Sequence, residues 1–212
     1  MFPEFKCDHI ADIDFERFYA TALGGAGASG EFFAFIAGLP LELTSKVKPL
    51  LHQVARMVWV GDRIDDLARG RPAFQVMFYL IAAELAAKLR FDFQGRGKSR
   101  EYVHKFFEEI CSDEHRCVLA QAFQNSGGHS LNVRKAADYL YDIRCDVVHM
   151  GSYYLSTLAH NGHRFIVQAA DEPHKMMTTT FGIEQLRAIV LEGAVNAANA
   201  LIQENSSLPQ RG

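Results

Sequence analysis

Apolar residues recur along most of this chain at helical rather than strand spacing. Residues 10–23 place Ile10, Ile13, Phe18 and Leu23 on such a pattern, and the run from Gly24 to Gly30 reads as a break, because glycine resists helical ordering. Glu31 to Gly38 predicts a short aromatic helix closed by Leu39-Pro40. Residues 48–68 predict a long helix with Leu51, Val54, Val58 and Leu67 on one side, ended by Gly70-Arg71-Pro72. Residues 72–91 carry the strongest helical signal. Pro72 suits a first-turn position, and the segment is apolar nearly all round, as the central helix of a bundle would be. Glu84 lies in its middle, either as a partly exposed carboxylate or as a buried partner for a cation.

Asp92 to Lys98 reads as a loop, and Ser99 as the N-cap of a helix reaching Cys111. Ser112 reads as the cap of the next helix, and 125–128 as a break. Residues 130–149 form another helix, with Val133, Ala136, Leu140, Ile143 and Val147 in a continuous stripe and Gly151 closing it. From His163 the pattern changes. Residues 164–168 and 176–181 are β-branched and aromatic, separated by Asp171-Glu172-Pro173-His174, which predicts a β-hairpin. Residues 183–203 return to helix. The expected fold is therefore an all-α bundle with a small β-hairpin insertion before the last helix. Its expected divisions are a helical N-terminal segment (1–69) packed on the bundle, a main helical domain (70–205) and a flexible tail (206–212).

The 212 residues suffice for a real core without disulfide staples. Hydrophobic residues are 49% and charged residues 22%, which excludes a disordered or coiled-coil rod composition. A net charge of −3 argues against a constitutive duplex-DNA coat protein. The four cysteines form no CxxC pair, and a chain of this length needs no disulfide framework, so a reducing compartment is expected. The start lacks signal-peptide character, and the uninterrupted apolar run Val76–Ala83 is short for a bilayer. A soluble cytoplasmic protein with no membrane partner is the expectation.

Common chemical signatures are missing: Gly24-Gly25-Ala26-Gly27 lacks a following Lys-Ser/Thr, and neither a GxSxG elbow nor an HExxH helix occurs. Adjacent carboxylates such as Glu108-Glu109 and Asp65-Asp66 diverge on a helix. His149, His160 and His163 sketch a metal site without a convincing fourth ligand, so no metal or cofactor is expected.

The informative segment is 138–153, which holds the sole Arg-x4-His spacing of the chain, Arg144 and His149. An imidazole can take or give a proton near neutrality, and a guanidinium can hold a phosphate bidentately. A ribose 2′-hydroxyl would supply an internal nucleophile. Five residues along a regular helix leave the two side chains about 140° apart, so Arg144 would have to bend toward a His149 in the looser last turn. The structural alternative pairs Arg144 with Asp142, Asp146 or Glu84 and leaves His149 capping the helix end.

The texture Leu140-Tyr141-Asp142-Ile143-Arg144, followed by Val148-His149-Met150-Gly151, resembles the signature of HEPN domains. These are helical domains common in prokaryotic RNA-cleaving toxins and defence systems. Phe78 to Leu85, with central Glu84, and Lys98-Ser99-Arg100-Glu101 are similar to segments of the Apea-like and abortive-infection branches. The resemblance covers about 70–205. It implies a HEPN-like bundle acting as a metal-independent endoribonuclease in a toxin or antiviral role, with Arg144 and His149 catalytic. It further implies a homodimer and a possible antitoxin or defence-system partner protein. Arg96, Lys98 and Arg100 are candidate RNA phosphate contacts, and Cys145, which stands where the family usually has Asn, Asp or His, is a candidate substrate-binding residue. A catalytically silent module binding RNA, a nucleotide or a protein is the alternative, and a purely helical scaffold a third.

Overall fold

The computed structural model describes residues 13–67, 71–91, 97–125, 127–151, 158, 165–169 and 172–206. Among these residues the elements run α1 (Phe15–Tyr19), α2 (Ala26–Ala37), α3 (Leu41–Leu67), α4 (Pro72–Arg90), α5 (Ser99–Lys105), α6 (Asp113–Ala122), β1 (Phe123–Gln124), α7 (Val133–Cys145), β2 (Phe165–Ala169), β3 (Glu172–Thr179) and α8 (Ile183–Ser206). The expected all-α fold with a small β insertion is what forms. The insertion is a three-stranded antiparallel sheet in the order β1-β3-β2. Its third strand, β1, has two residues, too few to alternate visibly in sequence. The separating turn is also tighter than the sequence implies, because β3 already begins at Glu172, opposite Ala169.

Helix α4 is the centre of the bundle, with α3, α5, α7 and α8 packed around it. Its small residues Ala82, Ala83, Ala86 and Ala87 are buried, so neighbouring helices approach its backbone closely. By length and composition alone it is the one helix among the described residues that could cross a membrane, although no single apolar run in it is that long. Here half of it is buried within the bundle. The core is continuous from Tyr19 to Ile202, so α3 of the N-terminal segment shares one apolar interior with α4 and α8. Two glycines set the closest helix contacts. A Cβ on Gly61 of α3 would lie 2.6 Å from Tyr79 Cε1 of α4, and one on Gly193 of α8 would overlap the Phe106 ring.

An ionic clamp ties α3, α4 and α8 together. Arg187 donates from Nε to both Asp62 oxygens, at 2.9 and 3.0 Å, and from a terminal nitrogen to Oδ2 at 2.9 Å. The Tyr79 hydroxyl donates to Asp62 Oδ1 at 2.6 Å. Burial, and then the Asp62 charge, push the Tyr79 phenol well above its usual range, so it remains a donor.

Several local expectations change. The glycine-rich break is confined to Gly24 and Gly25, both at positive φ, and α2 starts inside it at Ala26. The buried Ser29 hydroxyl donates to the Glu16 carbonyl at 2.6 Å, and this tertiary bond overrides the weak propensity of Gly27 and Gly30. Helix α3 begins at Leu41 and carries Pro49 within it. Leu67 is 62% exposed, because nine residues beyond Val58 is about half a turn off its face. Only Phe15–Tyr19 of the first predicted helix is regular helix, with residues 10–12 outside the described set. Lys98, not Ser99, occupies the N-cap position of α5. Ser112 caps α6 as expected, its side chain accepting from His115 N at 3.2 Å.

Candidate functional site at the end of helix α7

Asn132 caps the start of α7 by accepting from Lys135 N at 2.8 Å. One face of α7 then packs on α4 through Ala136, Leu140 and Ile143. This packing brings Arg144, in the last regular turn, over Glu84 of α4. Glu84 is buried, at 6% exposure. Its Oε1 takes the Lys88 ammonium one turn along α4 and the Ser99 hydroxyl of α5, which donates at 2.6 Å. Its Oε2 faces Arg144 at 3.9 Å, beyond hydrogen-bond length. The carboxylate is thus satisfied at close range by two other groups, and two cations surround one anion. The guanidinium carbon of Arg144 also lies 5.4 Å from the centre of the Tyr141 ring.

Beyond Cys145 the helix winds wider, over Asp146–Met150. The closing bond runs from the Gly151 N–H to the Asp146 carbonyl, five residues back, and Gly151 ends the helix in the left-handed region at φ 62°. A wider turn sweeps less angle per residue. Position 149 therefore falls nearer the face that carries Arg144 than regular winding would leave it. His149 is exposed there, between Val148 and Met150, which are 48% and 74% exposed.

The other predicted contacts divide. Arg100 is brought to this region but is engaged by α7. It donates to Asp138 Oδ1 at 2.9 Å and Asp142 Oδ1 at 2.6 Å, and it lies 4.7 Å over Tyr141. Burial opposes its charge, but these two aspartates outweigh that and raise its pKa further. Cys145 is half-buried beside Tyr141. Burial, then the Cys145 sulfur, raises the pKa of that phenol, with Arg144 opposing. Lys98 is exposed at the start of α5. Arg96 lies outside the described residues, as do His160 and His163 of the sketched metal set. Among the described residues no group of three or more His, Cys, Asp and Glu side chains is placed to hold a metal ion.

Sequence reasoning missed His104 and Asp138. His104 is buried, and its Nε2 lies 2.7 Å from Asp138 Oδ1. A signal was present: Arg100 and His104 are four apart on α5, and Asp138 and Asp142 four apart on α7, two complementary ladders at helical spacing. A scan against protein-family models finds no match, and neither a search of curated proteins nor one of solved structures finds a similar protein.

Proposed function

We propose that this protein is a metal-independent endoribonuclease of HEPN type, with its chemistry at the end of α7. The observation that carries the reading is the position of Arg144. Glu84 is already satisfied by Lys88 and Ser99, so the Arg144 charge exceeds what the interior needs. It lies one turn from an exposed imidazole on a helix end whose widening narrows the angle between them. In the proposed reaction Arg144 holds the scissile phosphate and offsets charge developing on its oxygens. The ribose 2′-oxygen attacks phosphorus while His149 takes its proton. The bond from phosphorus to the 5′-oxygen breaks, and the proton returns to that oxygen. The products are a 2′,3′-cyclic phosphate and a 5′-hydroxyl. RNA as substrate, a homodimer that sets two such ends against one cleft, and a neutralising or defence partner are parts of this proposal.

The test is purified protein on total RNA and tRNA in EDTA, with analysis of the fragment ends. Replacing His149 with Ala is expected to lower cleavage by about 10²–10⁴-fold, as for loss of a general acid–base. Arg144→Ala is expected to abolish cleavage while the fold persists. Cleavage that survives both substitutions, or that requires a metal ion, would overturn the reading. The second reading, a silent RNA-, nucleotide- or protein-binding module, is favoured by one observation: the Cys145 side chain is half-buried beside Tyr141 and not open at the helix end. RNA binding without turnover would select it.

A further inference from the structure

Helix α3 carries an unusual charge pattern away from α7. From Leu43 to Gly61 its sequence contains no Asp or Glu, yet it holds Lys46, Lys48, His52 and Arg56. Lys48, His52 and Arg56 are spaced by four residues, so they form a single file about 6 Å apart along one face. Trp59 and Arg63 continue that face, the Arg63 guanidinium 5.7 Å from the Trp59 ring. Lys48 and Arg56 are exposed.

Some exposed cations elsewhere in the bundle meet carboxylates: Arg100 with Asp138 and Asp142, Arg134 with Glu108. Lys48 and Arg56 have no such partner among the described residues. The acidic groups of the neighbouring helices are used otherwise. Asp14 caps α1 by accepting from Arg17 N, and the Glu16 carboxylate lies toward Gly30 of α2. The charges acting on His52 are both cationic, so burial, then Arg56 and Lys48, lower its pKa. Its ring is fixed by stacking on Phe15, with centroids 3.9 Å apart and planes within 5°. Like charges kept in file without counter-charge destabilise a helix unless an anion joins them.

We propose that the Lys48–His52–Arg56 file of α3 is a docking strip for the phosphate backbone of single-stranded RNA. A row one residue wide fits a strand, whose neighbouring phosphates are separated by a similar length, better than it fits a broad membrane surface. Trp59 at the end of the row offers a face for a base. The choice of RNA rests on the ribonuclease reading, and the phosphate contact does not.

The experiment measures anisotropy of a labelled 12-nucleotide poly(U) RNA over a salt series, with His149→Ala protein so that turnover cannot intervene. The emission of Trp59, the single tryptophan of the chain, is followed in parallel. Adding Lys48→Gln and Arg56→Gln is expected to lower affinity about 25-fold at 0.1 M salt and to flatten the salt slope by about 1.4, the loss of two single-strand phosphate contacts. Lys46→Gln removes a charge about 120° round the same helix from the middle of the file and is expected to leave affinity unchanged. Equal binding by the double variant, an equal loss with Lys46→Gln, or binding to anionic phosphatidylserine vesicles in place of RNA would overturn the proposal. If RNA binds through α3 but the wild type never cleaves it, the strip stands and the ribonuclease reading falls. If RNA is cleaved but binding ignores α3, the reverse holds.

Discussion

At the scale of single residues, Glu84 decides how the site is built. It is a buried anion with two close donors, and removing it leaves Lys88 and Arg144 half-buried without their counter-charge. Glu84→Ala is therefore expected to cost about 3 kcal/mol in urea unfolding, the low end for breaking a buried pair. Arg144→Ala is expected to cost much less, because Lys88 and Ser99 still satisfy the carboxylate. Equal losses would mean that Arg144 is a structural ion. Of the two readings of Glu84 left open by the sequence, the buried partner is the one that holds, and Lys88 four residues on was the legible sign of it. Arg144 and His149 stood out through their spacing and neighbours. The pairing of Arg100 with α7 was harder to read, because it joins residues 38 and 42 positions apart.

At the scale of elements, legibility followed long apolar patterns and failed where tertiary contacts set the winding. Helix α4 is apolar nearly all round and α7 and α8 carry long apolar stripes, and their extents were readable to within a few residues. Helix α2 was obscured because Ser29 is anchored by the Glu16 carbonyl of another helix. The wide turns after Lys105 and Cys145 have no sequence signature, and the first holds Phe106 under Gly193 of α8. The contact between α1 and α3 carries a pH dependence. The pKa of His52 is lowered in the folded state, chiefly by burial and then by Arg56 and Lys48, so the unfolded chain binds the proton more readily. Stability is then retained above the ordinary histidine value of about 6.5 and falls as the pH drops through it. Thermal unfolding between pH 7.5 and 5.5 is expected to show a fall in Tm that is reduced in His52→Gln.

At the scale of the molecule, the bundle is held from two sides of the middle of its central helix. Tyr79 joins the Asp62–Arg187 clamp, while Glu84, five residues on, ties α4 to Ser99 of α5 beside the end of α7. Gly193 lets α8 close over Phe106, in the wide turn Phe106–Ile110 that follows α5. Gly193→Ala is expected to destabilise the whole fold by about 1–3 kcal/mol through overpacking against Phe106, with one cooperative transition by circular dichroism and by Trp59 fluorescence. A loss confined to one probe would show that the segments unfold separately. The widened end of α7 has a consequence for how this chain can change length. Its bond from Gly151 back to Asp146 accommodates one residue more than a regular turn does. Deleting a residue there can be absorbed by a return to regular winding, with the glycine still terminating the helix and the packed stripe upstream undisturbed. The segment between the arginine and the histidine is thus a slack length, in which the loss of one residue is tolerated that would shift the register of a regularly wound helix.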